Sequence, residues 1–244
     1  MGEMVDIGAQ TSVTGGSPRL TAYLTRPPGT EPLPGVVMVH EAWGLDDVMK
    51  RSADHLAAMG YVVIAPDLYT KGFKLGCLRA TFSALRAGKG PAFQDIEACR
   101  QWLVARGDTT EGTGVIGFCM GGAFALLLAA SDAGYDASSA NYGFLPSDPD
   151  TALRDSCPVV ASYGAKDKQL AKVPAKLEEI YTRDGTAHDV KVYPTAGHAF
   201  LNDAENSPWL LRPMLRVAGA GPEPEAAADA WRRIGEFFSV HLAR

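Results

Sequence analysis

Apolar residues in this chain fall into short blocks separated by turn residues, and the blocks alternate between two spacings. Val36-Val37-Met38-Val39, Tyr61-Val62-Val63-Ile64-Ala65, Val115-Ile116 with Gly117-Phe118, and Val159-Val160-Ala161-Ser162-Tyr163 are near-continuous apolar runs. Such runs predict strands covered on both faces, as in a parallel sheet. Val190-Lys191-Val192-Tyr193 adds a further strand. Between the runs, apolar positions recur at helical spacing over Asp46–Met59, Phe93–Val104, Met120–Ala130 and Val173–Thr182. The chain closes with Ala227, Ala230, Trp231, Ile234, Phe237 and Phe238 on one helical stripe, read as core packing.

Near the start, Leu20, Ala22 and Leu24 alternate with Thr21, Tyr23 and Thr25, which predicts a half-buried strand at the sheet edge. Two stretches lack a period. Residues 67–91 are irregular and locally basic, with Lys71, Lys74, Arg79, Arg86 and Lys89, and read as a solvated face. Residues 203–225 carry four prolines, Trp209 and several leucines, a length at which an irregular loop is often functional. Repeated strand–helix units predict an α/β fold with a mostly parallel, doubly wound sheet flanked by helices. At 244 residues the chain is expected to form a single domain, 1–244, with no internal repeat.

Composition narrows the function classes. With 46% apolar residues, 21% charged residues and a net charge of −5, the chain offers no basic face for nucleic acid or an anionic membrane. The polar opening, Met1–Pro18, has no signal-peptide pattern, and no apolar stretch reaches membrane-spanning length. Cys77, Cys99, Cys119 and Cys157 are widely spaced, without a Cys-x-x-Cys pair or a Cys/His metal pattern. These features predict a reduced, cytoplasmic chain, monomeric or a small homo-oligomer, whose partner is a small molecule.

Candidate chemistry gathers where the strands end. Gly117-Phe118-Cys119-Met120-Gly121 has the nucleophile-elbow pattern, with sulfur in place of the usual oxygen. Flanking glycines let a strained strand-to-helix corner approach its neighbours, and the helix N-terminus favours a thiolate at Cys119. Asp167, in Lys166-Asp167-Lys168, and His198, in Gly197-His198-Ala199-Phe200, close two later strands. Nucleophile, acid and histidine then follow the α/β-hydrolase order. Each residue also has a bland reading: a buried structural cysteine, a turn aspartate and a satisfied core histidine. Gly112-x-Gly114-x-x-Gly117 matches a dinucleotide fingerprint in letters only, because these glycines precede the strand instead of opening a helix.

Gly117-Phe118-Cys119-Met120-Gly121-Gly122, His40-Glu41-Ala42-Trp43-Gly44, Ala65-Pro66-Asp67-Leu68-Tyr69 and Gly197-His198-Ala199-Phe200 together resemble the dienelactone hydrolase family of the α/β-hydrolase fold. The resemblance spans nearly the whole chain. It implies a cofactor-independent hydrolase of an ester or lactone, with a Cys119, Asp167, His198 triad and a thioester acyl-enzyme. It also implies that Glu41 helps form the thiolate and that the backbone N–H of Ala42 joins that of Met120 in an oxyanion hole. Asn202 stands where the family's best-known type places an arginine, and Arg79 roughly matches a second one. Arg79, Asn202, Trp43, Phe200 and Trp209 are the substrate-facing candidates. A general carboxylesterase or thioesterase with the same triad, and a non-enzymatic thiol sensor on the same fold, remain the alternatives.

Overall fold

The computed structural model of the chain describes every residue except 1, 9–12, 71–73, 131, 133 and 244. In chain order its elements are β1 (Glu3–Asp6), β2 (Thr21–Thr25), β3 (Leu33–Val39), α1 (Asp47–Ala58), β4 (Val62–Pro66), α2 (Lys74–Ala87), α3 (Pro91–Val104) and β5 (Thr109–Phe118). They continue with α4 (Met120–Ala129), β6 (Ala137–Asn141), α5 (Pro149–Ala152), β7 (Val159–Gly164), α6 (Val173–Asp184), β8 (His188–Tyr193), α7 (Arg212–Val217) and α8 (Pro224–His241).

One eight-stranded sheet runs in the order β1-β2-β4-β3-β5-β6-β7-β8. β1 and β2 are antiparallel to their neighbours, and all pairs from β4/β3 to β7/β8 are parallel. Strand alternation divides the core. Val37, Val39, Val62 and Ile64 pack with α3, α4 and α6 on one face. Val36, Met38, Val63 and Ala65 pack with α1 and α8 on the other. Both faces of the sheet are therefore covered, which is why its central strands read as continuous apolar runs.

Three sequence expectations need correction. β2 is not the edge, because β1 pairs along it with Glu3 opposite Leu24 and Asp6 opposite Thr21. β1 reads Glu-Met-Val-Asp, too short and too polar to announce itself. The basic segment is not wholly irregular: residues 74–87 form α2, whose Ala84 and Leu85 are buried. Lys71 lies outside the described residues. Likewise 203–225 contains α7, with Pro213 in its first turn, where a missing N–H costs nothing. No helix among the described residues is long and apolar enough to cross a membrane.

β6 was invisible because Ala-Ser-Ser-Ala-Asn carries no strand-favouring side chain. Its residues are nonetheless all buried between β5 and β7. Their smallness lets α4 sit against the sheet, and two of the side-chain donors bond locally: Ser138 Oγ donates to Ala125 O at 2.9 Å, and Asn141 Nδ2 to Gly117 O at 3.2 Å.

Candidate active site

β5 ends and α4 begins at Cys119, which has φ 54° and ψ −113°. That backbone is costly for any residue with a Cβ, and here the surroundings enforce it. The Cys119 N–H donates to Asn141 O at 3.0 Å, tying the corner to β6. A Cβ at Gly117 would overlap the Gly121 carbonyl, and one at Gly121 would overlap the backbone of Val39 and His40. The corner can form only with glycine at both places. The geometry also puts the sulfur beyond the carboxyl edge of the sheet, at the N-terminus of α4.

The acid and the histidine arrive from the next strand ends. Asp167 follows β7, is 7% exposed, and its Oδ2 lies 2.6 Å from Nδ1 of His198, which follows β8. The other Asp167 oxygen accepts from the Gln169 N–H at 3.2 Å. Asp167 thus holds the ring from behind while the ring also interacts with the Cys119 sulfur. Burial works against an imidazolium, but the hydrogen bonds to Asp167 and Cys119, with the charges on both, outweigh it and raise the ring's pKa above the ordinary value. Tyr142 packs its ring 5.1 Å from the His198 ring, and both Tyr142 and Ala199 have positive φ. Backbone strain is therefore concentrated around the three residues.

Glu41, after β3, is 2% exposed. Asn202 Nδ2 donates to its two oxygens at 3.2 and 3.3 Å, and Asn206 Nδ2 donates to Oε2 at 3.0 Å. Asn202, at the position of the expected arginine, thus reaches the same carboxylate without bringing a charge. Burial raises the Glu41 pKa, opposed by Asn206, by the positive potential of His198 and by Asn202. Because the folded-state pKa lies above the unfolded one, the folded protein binds more protons between the two values, and stability falls as pH rises across that window. Glu41→Gln removes the titrating group, so its unfolding free energy is expected to vary less with pH than that of wild type across the window. Urea unfolding at pH values on either side of the window checks this; a variant that keeps the wild-type slope contradicts it.

Other residues hold this loop. His40 is fully buried, its Nδ1 lies 2.6 Å from Glu41 O, and its Nε2 accepts from the Leu68 N–H at 3.2 Å. Burial keeps the ring neutral by lowering its pKa, so Nδ1–H donates to Glu41. Tyr69 Oη donates to Ala42 O at 2.9 Å, orienting the Ala42 peptide. The N–H groups of Ala42 and Met120 have no partner among the described residues.

These groups border a cavity of 220 Å³ whose lining includes Glu41, Ala42, Trp43, Cys119, His198 and Asn202. Three substrate-facing candidates lie elsewhere. Phe200 is fully buried between Tyr142 and Tyr193, as core packing beneath the site. Arg79 is exposed on α2, and Trp209 is 73% exposed; neither lines the cavity. Asn206 and Leu215, from the 203–225 segment, line it instead. Asn206 sits in a stretch of polar residues and prolines, with no local signal marking it.

The family model of the dienelactone hydrolase family matches residues 20–242. A protein of Yersinia pestis, provisionally named carboxymethylenebutenolidase, is 30% identical over 95% of this chain and 88% of its own. An Escherichia coli K12 protein of the same provisional name is 30% identical over 95% of this chain and 86% of its own. Among solved structures, a provisionally named dienelactone hydrolase of Klebsiella pneumoniae has a TM-score of 0.77 at 25% identity, covering 98% of this chain and 99% of that one. A dienelactone hydrolase-like promiscuous phosphotriesterase from metagenomic libraries has the same TM-score and identity, covering 100% of this chain and 99% of that one. The elbow, the three strand-end residues and the match over nearly the full chain agree: this chain belongs to the dienelactone hydrolase family of ester- and lactone-cleaving hydrolases.

Proposed function

We propose that the chain is a single-domain, cofactor-independent hydrolase of a small ester or lactone, working through a Cys119–His198–Asp167 triad and a thioester acyl-enzyme. The observation that carries this reading is His198, which bridges from Asp167, at 2.6 Å, to the Cys119 sulfur at the wall of the cavity. His198 takes the thiol proton, and Asp167 holds the tautomer and balances the imidazolium. Glu41, at the same cavity, is a second acceptor able to help form the thiolate.

The sulfur adds to the carbonyl carbon, and the oxyanion accepts from the N–H groups of Met120 and Ala42. Collapse breaks the ester C–O bond, and His198 returns the proton to the departing alkoxide. Water, deprotonated by His198, then cleaves the thioester and restores the thiol. The unpaired thiols of Cys77, Cys99, Cys119 and Cys157 support a reduced, cytoplasmic setting, with the enzyme acting as a monomer or small homo-oligomer.

Acid quenching during turnover of para-nitrophenyl acetate tests the mechanism. Intact mass should show one acetyl group added, peptide mapping should assign it to Cys119, and the adduct should accumulate in His198→Ala if deacylation slows more than acylation. Turnover without a sulfur-bound acyl group in either protein contradicts the thioester. If neither protein turns over ester, while peroxide oxidises Cys119 equally fast in both, the thiol-sensor reading takes its place.

A further inference from the structure

We infer that the substrate of this cavity is uncharged, and that the site discriminates against an ester or lactone carrying a carboxylate. The inference rests on the hydrolase reading above. Among the described residues, the cavity lining contains two acids, Glu41 and Glu205, and no lysine or arginine. The side-chain amide donors that could receive a carboxylate, on Asn202 and Asn206, already point at Glu41. Trp43, Ala199, Ala204 and Leu215 supply apolar wall.

The nearby arginines lie outside the lining, and two of them are paired with acids. Arg216 forks onto the Glu205 carboxylate, with its second contact at 2.7 Å, and is not part of the lining. Arg212, also outside the lining, donates Nε to Ser207 O at 3.0 Å. Arg51 is paired with Asp203, 2.8 Å away through its Nη2. A protonated His198 is matched by Asp167. A carboxylate brought into this cavity therefore loses its water, finds no lysine or arginine in the lining among the described residues, and faces Glu41 when that group is ionised. A neutral acyl or alcohol group of similar size meets none of these costs.

The test is a matched pair, para-nitrophenyl butyrate and the monoanionic para-nitrophenyl hemisuccinate, with each kcat/KM divided by the ester's rate with a free small thiol. The neutral ester is expected to be favoured by about tenfold or more. Asn202→Arg should narrow the gap by raising the rate on the anion. Ala204→Lys should do the same from a half-buried lining position, without disturbing the Glu41 contacts, should the buried arginine prevent folding. Equal or preferred use of the anion by wild type overturns the inference while leaving the hydrolase reading intact.

If wild type hydrolyses neither ester, the hydrolase reading fails. The charge inference is then decided by alkylation of Cys119 with iodoacetamide and iodoacetate. Relative to a free small thiol, the neutral reagent should gain about tenfold if the inference holds, and an iodoacetate rate equal or faster overturns it.

Discussion

If the proposed triad operates, Cys119→Ala is expected to lower kcat/KM for a small aryl ester by about 10⁵-fold, because removing one member of a triad removes the function of the whole unit. The loss belongs to the sulfur and not to the scaffold. Cys119 sits at φ 54°, a conformation alanine tolerates no worse than cysteine does, and its side chain is only partly buried. The melting temperature should accordingly stay within a few degrees of wild type. Cys119→Ala/His198→Ala should be no slower than Cys119→Ala alone, since the histidine has no proton to take once the thiol is gone. Steady-state kinetics under reducing conditions, with thermal melts on the same preparations, measure all three quantities. A Cys119→Ala protein that keeps a tenth of the wild-type rate excludes the sulfur as nucleophile.

The elbow was legible because it is local. An apolar strand, a cysteine and three glycines within Gly117–Gly122 state a steric requirement that the backbone of β3 and β6 then imposes. Asp167 and His198 were legible for a different reason: each follows a recognisable strand, and parallel sheets bring strand ends to one edge. What could not be read was carried by contacts between distant segments. Asn206 meets Glu41 across 165 positions from a proline-rich stretch with no period. β6 was hidden because it is selected for smallness beneath α4 and not for strand propensity. Arg79 was assigned by its rough match to a family arginine and Phe200 by its closeness to His198, yet one side chain is exposed and the other lies in the core. Proximity along the chain to a candidate site residue does not decide which side of the backbone a neighbour faces.

The corner that strains Cys119 also gives a large expected stability effect for a one-methyl change. Gly121→Ala places a Cβ into the carbonyl of Val39, with the Val39 carbon 2.7 Å and the His40 carbonyl oxygen 2.9 Å away. All three atoms are backbone, so no side-chain rotation relieves the overlap; α4 must lift from β3 or β3 must bend. The expected cost is about 3 kcal/mol, which for a chain of this size lowers the melting temperature by about 6–12 °C. Bending β3 also moves Glu41 and Ala42, which follow it directly, so kcat should fall even in the fraction that remains folded. The same substitution elsewhere separates this packing argument from a general intolerance of glycine replacement. Gly76 lies in α2, where a Cβ meets nothing within 4 Å. Gly76→Ala removes only unfolded-chain entropy and should stabilise by about 0.5–1 kcal/mol. Thermal melts of the two variants should therefore shift in opposite directions from wild type, with ester turnover unchanged in Gly76→Ala. A Gly121→Ala protein that melts with wild type means that α4 and β3 can separate without loss, and the elbow's glycine then owes its place to something other than contact with β3.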